Sequence, residues 1–133
     1  IMRNAGLKNT QVYAMCEIHS NDVLAEDFLK IFDGLSIGSN DLTQLTLGLD
    51  RDSGIINHIG NENNEAVKKL IQQVVAVCRK HKKYSGICGQ APSDYPKFTE
   101  FLVDCGIESI SLSPDSVIKT ILNVAKYEKT RRR

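Results

Sequence analysis

A unit of the same design recurs four times along this chain. Each unit has a short apolar run, a corner of polar residues or glycine, and a segment with helical periodicity. The apolar runs lie at residues 12–16, 34–38, 84–88 and 107–112. Parallel strands need crossover connections, which are usually helices, so this alternation predicts a parallel sheet with helices packed against it. The expected fold class is α/β.

The helical segments differ in strength. Residues 67–81 carry the clearest apolar stripe, and helices are also expected over residues 24–32 and, more briefly, over residues 42–47. Pro96 is well placed to open a helix that Gly106 closes. The first strand lacks alternation, which predicts burial on both of its faces. The last helix is expected to bury one stripe, formed by Val117, Ile118, Ile121, Leu122 and Ala125.

Two architectures satisfy four β/α units: an open doubly wound sheet and a barrel. A complete (β/α)₈ barrel needs about 250 residues, and this chain has 133, so four units would form half of one. The composition, with 41% hydrophobic and 25% charged residues, is typical of one folded core. The abrupt start at Ile1 indicates a piece of something longer. Length alone leaves both architectures open.

Charge and hydropathy argue against several classes of function. The net charge of +1 gives the main body no electrostatic preference for nucleic acid or an anionic membrane. No apolar run approaches the roughly 20 residues that span a bilayer, and no signal-peptide pattern opens the chain. The four cysteines show no CxxC spacing, which predicts reduced thiols in a cytoplasmic protein. Residues 130–133, which end in three arginines, are expected to form a disordered tail.

Polar residues collect where the predicted strands end, at the rim that carries function in both architectures. Glu17 and Asp41 follow neighbouring strands, and two such carboxylates can share one Mg²⁺ ion. Acids at strand ends also cap helices, so the residue types leave both interpretations open. Cys88 could act as a general acid or base if its neighbours tune its pKa, although a buried cysteine is more often a small hydrophobe.

Four segments taken together resemble the phosphoenolpyruvate synthases, also called pyruvate, water dikinases. They are Met-Cys-Glu-Ile at residues 15–18, Phe-Asp-Gly-Leu-Ser-Ile-Gly-Ser-Asn-Asp-Leu-Thr-Gln at 32–44, Gly-Leu-Asp-Arg-Asp-Ser-Gly at 48–54, and Gly-Ile-Cys-Gly-Gln at 86–90. The resemblance covers about residues 6–129. His19 and Ala91 stand where the family usually has proline and glycine.

The resemblance implies a fold and a set of site residues. Residues 1–129 would be the C-terminal half of the phosphoenolpyruvate/pyruvate-binding (β/α)₈ TIM barrel, contributing its strands five to eight, with 130–133 as a basic tail. The family's Mg²⁺ ligands fall on Glu17 and Asp41, and its acid/base cysteine falls on Cys88. Its substrate-binding residues fall on Glu17, Gly38, Ser39, Asn40 and Asp41.

The resemblance also implies an activity. The parent enzyme would convert pyruvate, ATP and water to phosphoenolpyruvate, AMP and phosphate, a step that serves gluconeogenesis. The phosphate would arrive on a phosphohistidine domain of the full-length enzyme, located upstream. No nucleic acid or membrane partner is implied. The isolated fragment is expected to be inactive.

Two alternatives remain from the sequence. One is a related Mg²⁺/enolate barrel, either pyruvate phosphate dikinase or enzyme I of the phosphotransferase system. The other is a non-catalytic half-barrel that serves as an oligomerisation or ligand-binding module. Four β/α units leave two sheet edges and an interior uncovered, which a second copy in a homodimer could cover.

Overall fold

A computed structural model describes residue 6, residues 9–49 and residues 61–131 of the chain. Strands and helices alternate through these residues. In chain order the elements are β1 (Tyr13–Cys16), α1 (His19–Val23), α2 (Ala25–Leu29), β2 (Gly34–Gly38), α3 (Ser39–Leu47), α4 (Glu65–Lys80), β3 (Tyr84–Cys88), α5 (Ala91–Asp94), α6 (Pro96–Cys105), β4 (Ser109–Ile110) and α7 (Val117–Arg131).

The four strands form one parallel sheet in the order β1-β2-β3-β4, which confirms the predicted α/β class with a parallel sheet. The register pairs Cys16 with Ile37 and Gly38 with Cys88, so the carboxyl ends of β1, β2 and β3 meet at one edge. Parallel crossovers are almost always right-handed. Because the strand order advances in one direction throughout, successive crossovers lie on the same face of the sheet.

The hydrophobic core lies between one face of the sheet and the helices. Cys16, Leu35, Ile37 and Ile87 point from the strands into this core and are fully or almost fully buried. They meet apolar side chains of α2, α3, α4 and α6, including Leu29, Leu42, Val67, Ile71, Val74, Val75, Cys78, Phe98 and Leu102. Burial of this continuous apolar surface is the main force that holds the helices to the sheet.

The opposite face of the sheet is more open. Tyr13 and Met15 are exposed on β1, so the prediction that this strand is buried on both faces is wrong. Tyr13 and Tyr84 stack there with ring centroids 4.1 Å apart. The described helices pack against the other face, and on β1 the exposed residues Tyr13 and Met15 alternate with the less exposed Ala14 and Cys16.

Several local predictions are confirmed. β2 and β3 have the expected bounds. Five of the six residues of the predicted α4 stripe are buried, Val67, Ile71, Val74, Val75 and Cys78, and the sixth, Leu70, is half-buried. The Asn64 side chain caps α4 by accepting a hydrogen bond from Ala66 N at 2.9 Å. Pro96 opens α6, and Gly106 ends it in the left-handed conformation at φ 79°.

The helix predicted over residues 24–32 is wrong in its bounds. The chain forms two short helices, α1 and α2, because the backbone leaves the helical region at Leu24, with φ −102° and ψ 20°. α2 ends at Leu29. Ile31, which was expected on the buried stripe, is 81% exposed.

The predicted burial of the last helix is also wrong. Ile118 is 70% exposed and Leu122 is 65% exposed, whereas the buried residue of α7 is Thr120. α7 packs beside α6, and β4 is only two residues long, so the described elements offer no surface that covers this stripe.

The end of α7 enters the segment that was predicted to be a disordered tail. The helix continues through Thr130 and Arg131. Arg131 Nη1 lies 3.0 Å from Asp104 Oδ1, and Tyr127 Oη donates to Asp104 Oδ2 at 2.8 Å. These contacts hold the last turn against α6, and residues 132–133 lie outside the described part. None of the described helices has the length and apolar character needed to cross a bilayer.

Candidate functional site

A small cavity of about 150 Å³ lies at the carboxyl ends of β1, β2 and β3. Residues from all three strand ends line it: Met15, Glu17, Gly38, Asn40, Asp41, Cys88 and Gly89. Five of the six residues predicted from the sequence are in this set. The sixth, Ser39, is fully buried and contacts Cys88 from within the corner. The structure therefore brings the predicted residues together around one space.

Glu17 reaches the cavity because its neighbour on β2 has no side chain. A Cβ placed on Gly38 would lie 2.8 Å from Glu17 Oε2 and 3.0 Å from Glu17 Cβ. The backbone of Gly38 has φ −89°, which any residue can adopt. Close approach, not backbone conformation, is therefore what requires glycine at this position.

Asn40 and Asp41 lie in the first turn of α3, which begins directly after β2. Asn40 Oδ1 accepts a hydrogen bond from Gln90 N at 3.2 Å. This contact orients the amide and leaves its Nδ2 as the donor atom. Asp41 is exposed on the same turn, while Leu42 and Thr43 anchor the helix by burial. The corner thus presents a carboxylate and an amide donor side by side.

Ser39 links the β2 corner to the β3 corner. Its Oγ lies 3.0 Å from Cys88 O. Gly89, the next residue, has φ 132°, a conformation that L residues rarely adopt, and a Cβ there would collide with Ser39 Oγ. The sequence Cys-Gly at the end of β3 therefore permits the close packing of the two corners.

Cys88 is half-buried at the cavity wall, and its Sγ donates to Ile37 O at 3.5 Å. The other cysteines differ in environment. Burial raises the pKa of Cys16 to about 12 and the pKa of Cys78 to about 11, and it also raises the pKa of Cys105. All four are free thiols. Cys16, Cys78 and Cys105 therefore stay protonated at neutral pH, and Cys88 is the thiol that lines the cavity.

Two carboxylates, those of Glu17 and Asp41, line the cavity. Within the described residues, neither Glu17 nor Asp41 pairs with a basic side chain, and no three His, Cys, Asp or Glu side chains converge as a ligand cluster. Mg²⁺ usually binds through one or two carboxylates and fills its remaining positions with water and substrate oxygens. A Zn²⁺ or Ca²⁺ cage would need more protein ligands.

Sequence reasoning missed Glu62, which contacts both corners of the cavity. Glu62 Oε1 lies 3.1 Å from Ser39 Oγ and 3.3 Å from Ala91 N. No strand, helix periodicity or motif marks this residue in the sequence, so only the folded chain reveals it.

His19, by contrast, is exposed, and its Nε2 lies 3.2 Å from Thr46 Oγ1. Residues 50–54 of the family motif lie outside the described residues.

Comparison with known proteins identifies relatives of this chain. The sequence profile of the family described as "PEP-utilising enzyme, PEP-binding domain" matches residues 2–129. The chain is 59% identical over 125 residues to the phosphoenolpyruvate synthase of Helicobacter pylori, covering 94% of this chain and 15% of that protein. It is 55% identical over 124 residues to the phosphoenolpyruvate synthase of Synechocystis, covering 93% and 15%.

A third relative is the phosphoenolpyruvate synthase of Escherichia coli, which is 51% identical over 124 residues, covering 93% of this chain and 16% of that protein. The chain therefore spans about 15% of the length of the curated relatives that it matches. The family match extends over nearly all of the chain and includes every residue that lines the cavity. The chain belongs to the PEP-binding domain family of the PEP-utilising enzymes.

Proposed function

We propose that this chain is the part of a phosphoenolpyruvate synthase that holds Mg²⁺ and the enolate of pyruvate. The observation that carries the proposal is the cavity in which Glu17, Asp41, Asn40 and Cys88 meet. The parent enzyme would convert pyruvate, ATP and water to phosphoenolpyruvate, AMP and phosphate in the cytoplasm. Its phosphohistidine domain and ATP-binding domain would lie outside this chain.

The architecture that we propose is the C-terminal half of a (β/α)₈ barrel. An open doubly wound sheet reverses its strand order and places helices on both faces. Here the order advances in one direction, and the face with Tyr13 and Met15 remains open. These two features support a barrel wall whose inner face would be covered by the other strands of the barrel.

The side chains have complementary roles in the proposed chemistry. When bound, Mg²⁺ supplies a positive charge that lowers the energy of the negative charge developing on pyruvate when C3 loses a proton. Glu17 and Asp41 would hold the ion, and Asn40 Nδ2 with the backbone at Gly38 and Ser39 would hold substrate oxygens. Cys88 would exchange a proton with C3. The site needs phosphate delivered from elsewhere, so the chain by itself should not turn over.

Three substitutions test this proposal in the full-length protein that carries the chain. Glu17→Ala and Asp41→Ala should each abolish Mg²⁺ binding, because each removes one of two protein ligands. Cys88→Ala should spare Mg²⁺ binding and block exchange of the C3 protons. Calorimetry with Mg²⁺ measures the first effect, and loss of the pyruvate methyl signal in D₂O measures the second by NMR.

Asp27→Ala is the matched control, because Asp27 is an exposed acid that pairs only with Lys30 on the described surface. It should leave both measurements unchanged. Wild-type Mg²⁺ affinity in both carboxylate variants would refute the metal assignment. An upstream ATP-binding domain would separate the two dikinases from enzyme I, and release of AMP without consumption of inorganic phosphate would separate the synthase from pyruvate phosphate dikinase.

A second candidate function is a non-catalytic module that pairs through its uncovered surfaces. The exposed stripe of Ile118, Ile121 and Leu122 on α7 favours it. A homodimer formed through this stripe would need no catalytic residue. The oligomeric state of the chain decides this candidate.

A further inference from the structure

Glu62 contacts the first residue of two helices that flank the cavity. Ser39 begins α3 and Ala91 begins α5, and Glu62 Oε1 lies 3.1 Å from Ser39 Oγ and 3.3 Å from Ala91 N. The Glu62 side chain is half-buried and is not one of the groups that line the cavity. One carboxylate oxygen therefore joins the corner after β2 to the corner after β3.

Two further contacts join the same corners. Ser39 Oγ lies 3.0 Å from Cys88 O, and Asn40 Oδ1 accepts from Gln90 N at 3.2 Å. The Ser39 hydroxyl has one proton, which it can donate to Cys88 O or to the Glu62 carboxylate. A carboxylate is the stronger acceptor. Glu62 therefore controls the orientation of the hydroxyl that lies against the strand end carrying Cys88.

We infer that Glu62 is a positioning residue that sets the spacing between the corner of Asp41 and the corner of Cys88. The inference rests on the proposed function, because this spacing matters when Cys88 exchanges a proton with a substrate held by Asp41. Glu17 lies on the β1 side, and the described hydrogen bonds of Glu62 go to Ser39 and Ala91. Loss of Glu62 should therefore impair proton exchange more than Mg²⁺ binding.

The test compares Glu62→Ala with Glu62→Gln in the full-length protein that carries the chain. Glu62→Ala removes the acceptor, whereas Glu62→Gln keeps an oxygen that can accept from both Ser39 and Ala91. We expect Glu62→Ala to lower the kcat of C3 proton exchange by about 10- to 100-fold, as for other residues that support ligands indirectly. Its Mg²⁺ affinity should stay within about threefold of wild type, and Glu62→Gln should restore most of the rate.

The matched control is Glu65→Ala, since Glu65 is exposed and pairs only with Lys68 in the described part of the chain. It should behave as wild type. If Glu62→Ala is too unstable to assay, Ser39→Ala removes the same link from the other side and should show the same loss of kcat at retained Mg²⁺ affinity. A purely structural role would instead lower the melting temperature and the active fraction of Glu62→Ala and Glu62→Gln alike, which would overturn the inference.

Amide exchange separates this inference from the proposed function. Glu62→Ala should speed hydrogen exchange at Ala91, and Glu62→Gln should not. If the wild-type protein shows no Mg²⁺-dependent exchange of the C3 protons, the proposed function itself is refuted. Wild-type activity with unchanged kcat in Glu62→Ala would refute the positioning role alone.

Discussion

Among single residues, two glycines shape the cavity, because a side chain at either position would collide with a neighbouring residue of the site. Gly38 lets the Glu17 carboxylate lie across the end of β2, and Gly89 lets Ser39 pack against the end of β3. Neither glycine contributes a side-chain functional group. Each determines where a neighbouring functional group can lie. Because φ at Gly38 is ordinary, a substitution at Gly38 should change ligand binding before it changes the fold.

Gly38→Ala tests this dependence. The new methyl group would lie within 3.0 Å of the Glu17 side chain and displace its carboxylate. We expect Mg²⁺ affinity to fall about 10- to 100-fold in the full-length protein, since a displaced ligand loses its geometry. Stability should change little because φ at Gly38 is ordinary. Titration calorimetry and thermal unfolding measure the two effects.

Ser36→Ala serves as the control for this substitution, because Ser36 lies two residues earlier on the same face of β2. It changes the strand without approaching Glu17. Equal Mg²⁺ affinity in Gly38→Ala and Ser36→Ala would show that Glu17 does not depend on the space above Gly38.

At the scale of elements, the end of α4 carries a conformational cost. Lys82 has φ 54°, the left-handed conformation in which a helix usually ends with glycine. Lys82 N donates to Arg79 O at 3.1 Å and Lys83 N donates to Cys78 O at 2.9 Å, which is the Schellman pattern of hydrogen bonds. The turn that leads from α4 into β3 is therefore regular in its bonding and unfavourable in its residue type.

Lys82→Gly should stabilise the chain by about 0.5–1 kcal/mol. Glycine removes the cost of about 1–2 kcal/mol that an L residue pays in the left-handed conformation, and the greater entropy of the unfolded chain offsets part of this gain. A shift of the urea midpoint to higher concentration measures the gain. Lys83→Gly is the matched control. It should destabilise the chain, since Lys83 Nζ donates to Phe32 O at 3.1 Å. A lower urea midpoint for Lys82→Gly would contradict the account of this turn.

At the scale of the whole molecule, the sheet is covered on one face and open on the other. β1 exposes Tyr13 and Met15, and α7 exposes Ile118, Ile121 and Leu122. Large apolar surfaces of this kind usually mark contacts with further protein. Both the proposed half-barrel and the proposed dimer account for them, since each covers apolar surface with additional chain.

The chain produced by itself should therefore associate as its concentration rises, because association removes apolar surface from water. Leu122→Lys should weaken the association by placing a charge in the α7 stripe. Val23→Lys, at an exposed position of α1 outside this stripe, is the matched control and should leave association unchanged. Light scattering measures the mass. A monodisperse, folded monomer at all concentrations would refute the dimer.

Most of the architecture was predictable because it depends on local patterns. Apolar runs without charges formed β2 and β3, and the strong period of α4 survived folding with its buried stripe intact. Predictions from weaker patterns were wrong where tertiary contacts determine the structure. Leu24 breaks the helix expected around it, and the apolar stripe of α7 finds no partner among the described elements.

The α/β repeat and the residues at each strand end follow from the sequence alone, because strand and helix periods and corner chemistry are local properties. The common cavity of Glu17, Asp41 and Cys88 follows from the folded chain, since strand order and register bring distant residues to the same edge. The folded chain also determines the place of Glu62, whose contacts with Ser39 and Ala91 follow from no pattern along the chain. Local propensity determines the helices and strands, and long-range packing brings the site residues together.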